Sequence, residues 1–549
     1  MSDCSDQTMF KLLGNGKVGD AVEVASGTRD PSVTRVRSDL KLRSVDRISS
    51  SQRVRGLSCT TDGDGNVYVL GQYFESMFAD NIYLTTPDSG IFLAQMGSDG
   101  KWKWATTIHA HTSANDITMS CQVTYRQKYL YSAMVIRNPG TQNTEGFVIK
   151  TDRGGNVSYT TRFTGDLSNH IRIDVDRNGN AYIVNSYRGN LTLTNSIKLP
   201  KTAVTISQTT QTPLNPNRGY VAKIGKNGIW IWARDISGCY DIDGSSLNDI
   251  VTKPNGNSYV VGSFNGTVIL DDMVIKGSRD LAVQDFIMAE IGSGGFWIRA
   301  EACPGAVGMG IDMDTYKNLY VTGTFHHKIK FFGSCVESYG GTNLFVARVD
   351  KFWNAEWVVS TKFNNNQVSN NLDIIVDNDN NTYVDGVFDR PLVMGGKTLV
   401  PRGSNDQFIA KLSPNGSWLW SEQISGNDLS SSKDLALGVT GGLYTTGGFN
   451  KELIVGEKCT IDSHTEFAPG ICTLYLLRYQ PSLPKLIGVI SKVISKKNMV
   501  SIVFKGPTKA IGKLEPGQNY YVDNAGDISS DPRYQYLGTA LSRDTLLIQ

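Results

Sequence analysis

Acidic residues at every second position are the first feature of this 549-residue sequence that could do chemistry. The stretch DGDGN starts at Asp62 and places Asp64 and Asn66 at the spacing of oxygen ligands in a calcium loop. An EF-hand loop also needs Gly at its sixth and Glu at its twelfth position, where this chain has Val67 and Tyr73. We therefore interpret the stretch as a turn, because Asp, Asn and Gly tolerate the backbone angles of tight turns. No metal and no other cofactor is predicted.

Further aspartates and two histidines are the other candidates for chemistry. His109 and His111 lie on one face of a predicted strand and could share a metal ion, but a third ligand would have to come from elsewhere. Paired carboxylates could serve glycoside hydrolysis, whereas repeated aspartates more often cap turns. The aspartates that we place on the innermost strands, where they could form an acidic ring, are Asp174, Asp176, Asp312, Asp314, Asp373 and Asp377. The sequence contains no nucleophile elbow, P-loop, HExxH or kinase motif, so we predict no catalytic residue and no enzyme.

The elements that would position these residues recur along the chain. A Tyr-Val strand follows a turn in seven segments, and the predicted repeat tyrosines are Tyr68, Tyr129, Tyr182, Tyr259, Tyr320, Tyr383 and Tyr444. Their spacings are 61, 53, 77, 61, 63 and 61 residues. An apolar strand such as GYVAKI follows, and we place all nine tryptophans in the strand after it, with Tyr159 in that position of the second copy. Four short strands per copy predict an all-β fold, a seven-bladed β-propeller of four-stranded blades, rather than a β-helix with its much shorter repeats.

Three regions are predicted: an N-terminal arm (1–55), the propeller (56–483) and a small C-terminal β domain (484–549). The seventh copy lacks a tryptophan strand, so we expect a strand from residues 10–50 to complete that blade, with 20–27 and 32–45 as candidates. The second candidate is basic, as an exposed edge strand or an arm that binds nucleic acid or another subunit would be. Its basic residues are Arg35, Arg37, Lys41 and Arg43, and Arg47 follows two residues after its end.

Composition narrows the class of protein. Hydrophobic residues make up 40% and charged residues 19%, which is typical of a folded chain, and the net charge of +2 gives no global attraction to nucleic acid. No run approaches the roughly 20 apolar residues of a membrane span, and the first residues do not resemble a secretory signal. The eight cysteines form no CxxC pair and are expected to be buried free thiols. Cys459 and Cys472 flank a predicted hairpin, and whether they pair stays open.

The repeat pattern D-x-D-x-x-G-N-x-Y-V-x-G-x-F, followed by F-x-A-K-L and W-x-W, resembles the SBBP repeat family of seven-bladed β-propellers. This family is defined by its blades and not by a shared reaction, so the resemblance implies a fold and no activity. The C-terminal pattern LEPGQNYYVDNAGDIS, with LGTALSRDTLLI after it, resembles a short module of phage tail-associated proteins and of propeller proteins of giant DNA viruses. The two resemblances together imply a protein of a virus particle.

We therefore expect a non-enzymatic virion structural or surface protein. Its propeller would bind other virion or capsid proteins, or a host surface protein or glycan, and its C-terminal domain would aid assembly or anchoring. The long insertions between strands are the predicted contact loops, represented by Glu75, Asp80, Ala203, Gln208, Asn215, His464 and Glu466. The alternatives are an intracellular, cytoplasmic scaffold for protein–protein interaction and a carbohydrate-active enzyme. No specific nucleic acid is expected as a partner, and the oligomeric state is left open.

Overall fold

A computed structural model gives the fold of two compact units, Leu42–Arg478 and a second unit that contains Tyr479–Gln549. The described residues are 40–50, 53–111, 117–138, 144–199, 205–206, 213–214, 217–239, 244–278, 283–361, 372–403, 405–439, 441–456, 459–462, 473–481, 489–494, 499–503, 519–522, 528–529, 535–542 and 545–548. Within these ranges no helix has the length and apolar character needed to cross a bilayer.

The first three four-stranded antiparallel sheets follow one another in chain order after an N-terminal strand, β1 (Leu40–Ser50). Blade 1 contains β2 (Val54–Thr61), β3 (Val67–Ala79), β4 (Ile82–Met96) and β5 (Trp102–Ala110). Blade 2 contains β6 (Ile117–Arg126), β7 (Tyr129–Arg137), β8 (Thr144–Asp152) and β9 (Val157–Leu167). Blade 3 contains β10 (Arg172–Val175), β11 (Ala181–Thr192), β15 (Arg218–Ile224) and β16 (Trp230–Asp235), with the short strands β12 (Lys198–Leu199), β13 (Thr205–Ile206) and β14 (Pro213–Leu214) inserted.

The next three sheets repeat this plan. Blade 4 contains β18 (Gly244–Thr252), β19 (Ser258–Asn265), β22 (Asp285–Ile291) and β23 (Trp297–Cys303), and the short strands β17 (Ser237–Gly238), β20 (Thr267–Leu270) and β21 (Met273–Lys276) form a side sheet. Blade 5 contains β24 (Ala306–Met313), β25 (Leu319–Phe331), β26 (Ser334–Val349) and β27 (Ala355–Ser360). Blade 6 contains β28 (Asp373–Val376), β29 (Thr382–Phe388), β32 (Asp406–Leu412) and the first half of β33 (Trp418–Leu437), with the hairpin of β30 (Leu392–Met394) and β31 (Lys397–Leu399) inserted.

Blade 7 joins the two ends of the repeat region. The second half of β33 is its innermost strand, β34 (Leu443–Val455) and β36 (Thr473–Pro481) follow, and β1 lies outermost beside β36; β35 (Cys459–Asp462) pairs with β34. Of the two candidate strands from the arm, residues 20–27 lie outside the described residues, and residues 32–45 overlap β1 only at its start. The predicted class, an all-β propeller, is confirmed by this strand order.

The C-terminal unit is also built from strands. It begins with a hairpin of β37 (Val489–Ile494) and β38 (Met499–Val503). The strands that follow are β39 (Asn519–Val522), β40 (Ile528–Ser529), β41 (Gln535–Ser542) and β42 (Thr545–Ile548). They form a four-stranded sheet with the order β40–β39–β41–β42. The all-β class is thus confirmed for this region, and the domain boundary at residue 484 stays a prediction.

A bulge at one position of each outermost strand explains the W-x-W pattern. In blades 1 to 6 the pairing of the third and fourth strands shifts by one residue there, so residues two apart face opposite neighbouring blades. Trp230 of blade 3 packs edge-on against Phe163 of blade 2, with 5.5 Å between ring centroids. Trp232 instead donates a hydrogen bond from Nε1 to the carbonyl of Ser293 in blade 4, at 3.1 Å. The outermost strand of blade 3 therefore contacts both of its neighbouring blades.

Two predicted repeat positions are wrong. Tyr131, not Tyr129, is the repeat tyrosine of blade 2, because Tyr131 pairs with Lys150 as Tyr182 pairs with Lys223 in blade 3. The turn before it is a short hairpin with positive φ at two residues, so the spacing-based alignment slipped by two. Trp353, which we placed in a strand, lies in the turn before β27 with φ of 71°.

The cysteines fit the expectation in part. Cys59, Cys121 and Cys303 are free and buried, as predicted, whereas Cys239 and Cys335 are free and exposed. The side chains of Cys459 and Cys472 lie outside the described part of the chain.

Candidate functional site

The innermost strands are joined in a closed ring by side-chain hydrogen bonds from each blade to the next. In each case one side chain on an innermost strand accepts a bond, usually from a backbone N–H of the following blade. From blade 1 onward the acceptors and donors are Ser58 and Val123 N (2.9 Å), Gln122 and Ile173 N (2.7 Å), Asp174 and Thr252 N (2.6 Å), Asp249 and Ile311 N (2.8 Å), Asp312 and Val376 N (2.7 Å), and Asp373 and Leu435 N (2.9 Å). The hydroxyl of Ser58 donates to Asp434 and so closes the ring between blades 1 and 7.

A single buried arginine lies among the carboxylates of this ring. Arg172 on β10 is 3.8 Å from Asp249 of blade 4 and 3.9 Å from Asp373 of blade 6. Asp434 and Asp385 also attract its charge, and all five side chains are buried. Burial by itself would lower the pKa of Arg172, but the carboxylates of Asp373 and Asp249 outweigh it and raise that pKa. The cluster therefore contains one permanent cation among several carboxyl groups.

Burial raises the carboxyl pKa values of the ring. It raises the pKa of Asp249 to about 7 against the opposing charge of Arg172, and that of Asp312 to about 7 against two backbone hydrogen bonds. Burial and the neighbouring Asp373 raise the pKa values of Asp385 and Asp434 well above their usual range. Some of these groups therefore hold protons near neutral pH. The ring can bind protons and join blades.

The acidic ring was predicted only in part. Asp174, Asp312 and Asp373 lie on innermost strands as expected. The other three predicted members lie in turns instead, namely Asp176, Asp314 and Asp377. Sequence analysis missed Arg172, Asp249 and Asp434. A usable signal existed, because Asp249, Asp373 and Asp434 each stand ten residues before a repeat tyrosine, as do Arg172 and Ser58.

The turn aspartates bind their own turn. Asp176 accepts bonds at Oδ1 from the backbone N–H groups of Asn178 and Asn180, at 2.8 and 3.0 Å. At Oδ2 it accepts bonds from the Asn180 side chain and the Tyr182 hydroxyl, at 2.8 and 3.1 Å. The same bonds surround Asp62, Asp314 and Asp377. These contacts support the interpretation of the repeated stretch as a turn whose carboxylate replaces missing backbone acceptors.

The two histidines have separate surroundings. Their ring centroids are 6.0 Å apart, and His109 packs against Phe147. The ring nitrogens of His111 bind the hydroxyls of Ser89 and Thr118 at 2.6 and 3.1 Å. Among the described residues no three His, Cys, Asp or Glu side chains are arranged to hold a metal ion.

Most predicted contact residues fall outside the described part of the chain. This applies to Arg35, Arg37, Ala203, Gln208, Asn215, His464 and Glu466. Lys41 and Arg43 lie on β1, but their side chains are outside the described set. Glu75 is exposed at a bulge of β3 with φ of 58°, and Asp80 is exposed in the turn between β3 and β4, where it accepts a bond from the N–H of Trp102 at 3.1 Å. The structure places neither Glu75 nor Asp80 in the innermost ring.

Comparisons with known proteins find distant similarity in structure. No protein-family model matches the sequence, and no curated protein matches it. A protein of unknown function from Dyadobacter fermentans is similar in structure, with 9% identity, coverage of 70% of this chain and 98% of that chain, and a TM-score of 0.35.

Two enzymes are similar to this chain in structure to about the same degree as the Dyadobacter protein. The Trypanosoma rangeli sialidase has 10% identity over 82% of this chain and 60% of that chain, with a TM-score of 0.31. A Synechocystis apocarotenoid oxygenase has 11% identity over 80% of this chain and 94% of that chain, with a TM-score of 0.33. At these identities and TM-scores the likeness carries no argument about activity.

Proposed function

We propose that this protein is a non-enzymatic structural or surface protein of a virus particle, whose propeller binds a protein or glycan and whose C-terminal domain aids assembly or anchoring. The observation that supports binding over catalysis is the engagement of the ring carboxylates in blade-to-blade hydrogen bonds. A catalytic carboxylate pair must reach its substrate, whereas Asp249, Asp373 and Asp434 are buried. The exposed turns and outer strands of the rigid propeller are then the surfaces that recognise a partner. The viral part of the proposal rests on the two sequence resemblances.

Mass spectrometry of purified particles tests the viral part. We expect peptides of this chain in gradient-purified particles, retained after the particle surface is washed with high salt. Its absence from particles, together with recovery from the soluble fraction of infected cells, would instead favour the intracellular scaffold.

A hydrolysis assay tests the non-enzymatic part. We expect the purified full chain to release no 4-nitrophenol from a panel of 4-nitrophenyl glycosides above the buffer rate. Release that disappears in Asp249→Asn, while the circular dichroism spectrum stays unchanged, would establish a carbohydrate-active enzyme.

A further inference from the structure

Two neighbouring blades carry exposed apolar side chains at positions that are mostly polar elsewhere. In blade 3 these are Ile229, in the turn before β16, and Ile231, the bulge residue of β16; in blade 4 they are Phe296 and Ile298. Each of the four is at least half exposed. The equivalent exposed pairs of blades 1, 2, 5 and 6 are Lys101 and Lys103, Asn156 and Ser158, Asn354 and Glu356, and Ser417 and Leu419. Because the other blades fold with polar residues there, packing of the blade does not require apolar ones.

Blade 5 also carries exposed apolar side chains. Phe352 and Tyr316 are also more than half exposed, in the two turns at the same end of that blade. Phe352 adjoins blade 4 because its carbonyl accepts a bond from Arg299 at 2.9 Å. We call the six exposed side chains the apolar rim; they are Ile229, Ile231, Phe296, Ile298, Tyr316 and Phe352. Large exposed apolar side chains grouped on neighbouring elements mark interaction sites in soluble proteins.

Four cations accompany the rim. Arg177 and Lys226 lie in the two turns of blade 3, and Lys317 and Lys351 lie in the corresponding turns of blade 5. The Lys351 ammonium is 5.0 Å from the centre of the Phe352 ring. None of the four forms an ion pair with a described residue.

The carboxylates of the same turns are already engaged. Asp176 and Asp314 are buried and bind their own turns, and Asp350 accepts bonds from Phe352 and Asn354. Of the other acidic side chains near the rim, Glu290 pairs with Lys253 and Glu356 with Arg348, and Asp271 accepts a bond from the N–H of Trp297. The rim therefore combines exposed apolar side chains with four cations that form no ion pair with a described residue.

We infer that the apolar rim is a docking surface for an acidic protein segment that presents leucine, isoleucine or aromatic side chains beside its carboxylates. This inference rests on the proposed function, since it names the partner of a propeller that acts by binding. The apolar side chains of the segment bury against Phe296 and its neighbours, and its carboxylates pair with Lys226 and Lys351.

Two other occupants fit the surface less well. A second copy in a two-fold dimer would bring like charges of the same rim together. A flat anionic bilayer would meet the turn residues Ile229 and Phe296, but Ile231 and Ile298 lie on the outer strands beyond the turns. A protein segment that runs along β16 and β23 can contact both sets.

Selection from a random peptide library displayed on phage tests the inference with the full chain as bait. We expect enriched peptides to combine Asp or Glu with Leu, Ile, Phe or Trp. A synthetic peptide of the enriched sequence should bind at least tenfold more weakly, by fluorescence anisotropy, to the variant Ile229→Asn, Ile231→Ser, Phe296→Asn, Ile298→Ser, which carries the residues of blade 2 at these positions. The matched control Leu419→Ser, an exposed bulge residue of blade 6, should bind as the wild type does.

A charge-reversal variant tests the cations. Lys226→Glu combined with Lys351→Glu should also weaken peptide binding and reduce the salt dependence of that binding.

Several results would overturn the inference. They are enrichment of basic peptides, no enrichment, equal binding by the rim variant, rim-dependent dimerisation in sedimentation velocity, and rim-dependent binding to phosphatidylserine vesicles in preference to the peptide. These outcomes are distinct from failure of the proposed function, because a chain absent from virus particles could still bind the selected peptide through the rim. Conversely, a rim variant that still enters particles would leave the virion role intact.

Discussion

At the scale of single residues, the repeat turn is held by one buried carboxylate. Asp176 accepts four hydrogen bonds from its own turn and from Tyr182, and its side chain is almost fully buried. Asp152 of blade 2 accepts the corresponding bonds from Gly154 and Asn156 but none from a tyrosine, and it is more exposed. The two residues thus share one turn geometry and differ in burial.

This difference predicts unequal costs of truncation. Asp176→Ala should lower the free energy of unfolding by about 3 kcal/mol, because it leaves a buried tyrosine hydroxyl and turn N–H groups without their acceptor. Asp152→Ala should cost about 1 kcal/mol or less, because water can replace the carboxylate. Urea unfolding of both variants measures the difference. Equal losses, or a melting temperature that rises on adding calcium chloride and falls in EDTA, would contradict a purely structural turn.

The ion pair between the first turn and the third strand has its two charges reversed in blade 4 relative to blades 5 and 6. In blades 5 and 6 a turn aspartate faces a cation on the third strand, at 3.6 Å for Asp314 with Arg348 and 4.0 Å for Asp377 with Lys411. In blade 4 the turn residue is the cation Lys253, and Glu290 is the anion on the third strand, 2.7 Å away. Lys253 lies 4.2 Å from the centre of the repeat tyrosine ring. The pair therefore keeps its attraction with both signs reversed.

A charge-swap series tests this exchange. Lys253→Asp and Glu290→Lys should each lower the free energy of unfolding by about 2 kcal/mol, because each places like charges together in a largely buried site. The double variant restores the order of blades 5 and 6 and should recover to within about 1 kcal/mol of the wild type. Losses that simply add in the double variant would show that the two side chains do not interact.

At the scale of elements, blades are joined where an outer strand meets the next turn. Trp232 lies against Gly295 of blade 4, whose φ is +84° and where an added Cβ would stand 2.8 Å from the indole. The same joint forms between Trp104 and Gly155 and between Trp357 and Gly416. Only glycine combines that backbone angle with so close a contact.

At the contact between blades 4 and 5, the aromatic side chain comes from the turn and not from the outer strand. Arg299 stands at the tryptophan position, and Trp353, with φ of 71°, stands at the glycine position. The guanidinium of Arg299 lies 4.3 Å from the centre of the Trp353 ring and donates a hydrogen bond to the carbonyl of Phe352 in the turn. At other contacts between blades, the indole N–H of Trp104 or Trp357 donates to a carbonyl of the neighbouring turn. A large aromatic side chain is present in either arrangement, supplied by a different blade.

Substitution of both residues should therefore be tolerated better than either alone. Trp353→Gly leaves a gap beneath Arg299 and should cost about 3 kcal/mol. Arg299→Trp brings two indoles into one space and should cost about 2 kcal/mol. The double variant recreates the joint of blades 3 and 4, and thermal unfolding should show most of the loss recovered. A double variant less stable than both single variants would contradict the exchange.

At the scale of the whole molecule, the buried ring should make stability depend on pH. A raised carboxyl pKa in the folded state means that folded chains bind more protons than unfolded chains between the two values. For Asp249 and Asp312 that window runs from the usual range near 4 up to about 7. Their contribution is therefore complete below the window and is lost as the pH rises through it.

The melting temperature should accordingly be higher at pH 5 than at pH 8. Asp312→Asn should flatten this difference, because the amide oxygen still accepts the Val376 bond and no buried carboxyl is left to titrate, although the bond from the Met313 N–H is lost. The matched control Asp99→Asn, an exposed residue paired with Lys103, should leave the slope between pH 5 and 8 unchanged. A stability that rises from pH 5 to 8 in the wild type would contradict the raised pKa values.

Much of the local structure was predictable because its causes are close together in sequence. The Asp, Asn and Gly of each turn and the tyrosine after it lie within a few residues, so the repeat and the turn could be found from spacing. The alignment failed at Tyr131, where a shorter turn changes the spacing, and at Trp353, where the residue type suggested a strand. Both errors arise where one blade departs from the local pattern of the others.

The sequence by itself thus determined the blades, their turns and the class of the fold, because alternation of apolar residues and turn residues acts over a few positions. Only the tertiary structure decided which side chains meet between blades. Ser58 and Asp434 are 376 residues apart, and Arg172 meets carboxylates from blades 4 and 6. The bulge that turns the two tryptophans toward opposite blades is equally absent from the residue pattern. These contacts depend on how the repeats close around the centre, and closure brings together residues that no local spacing relates.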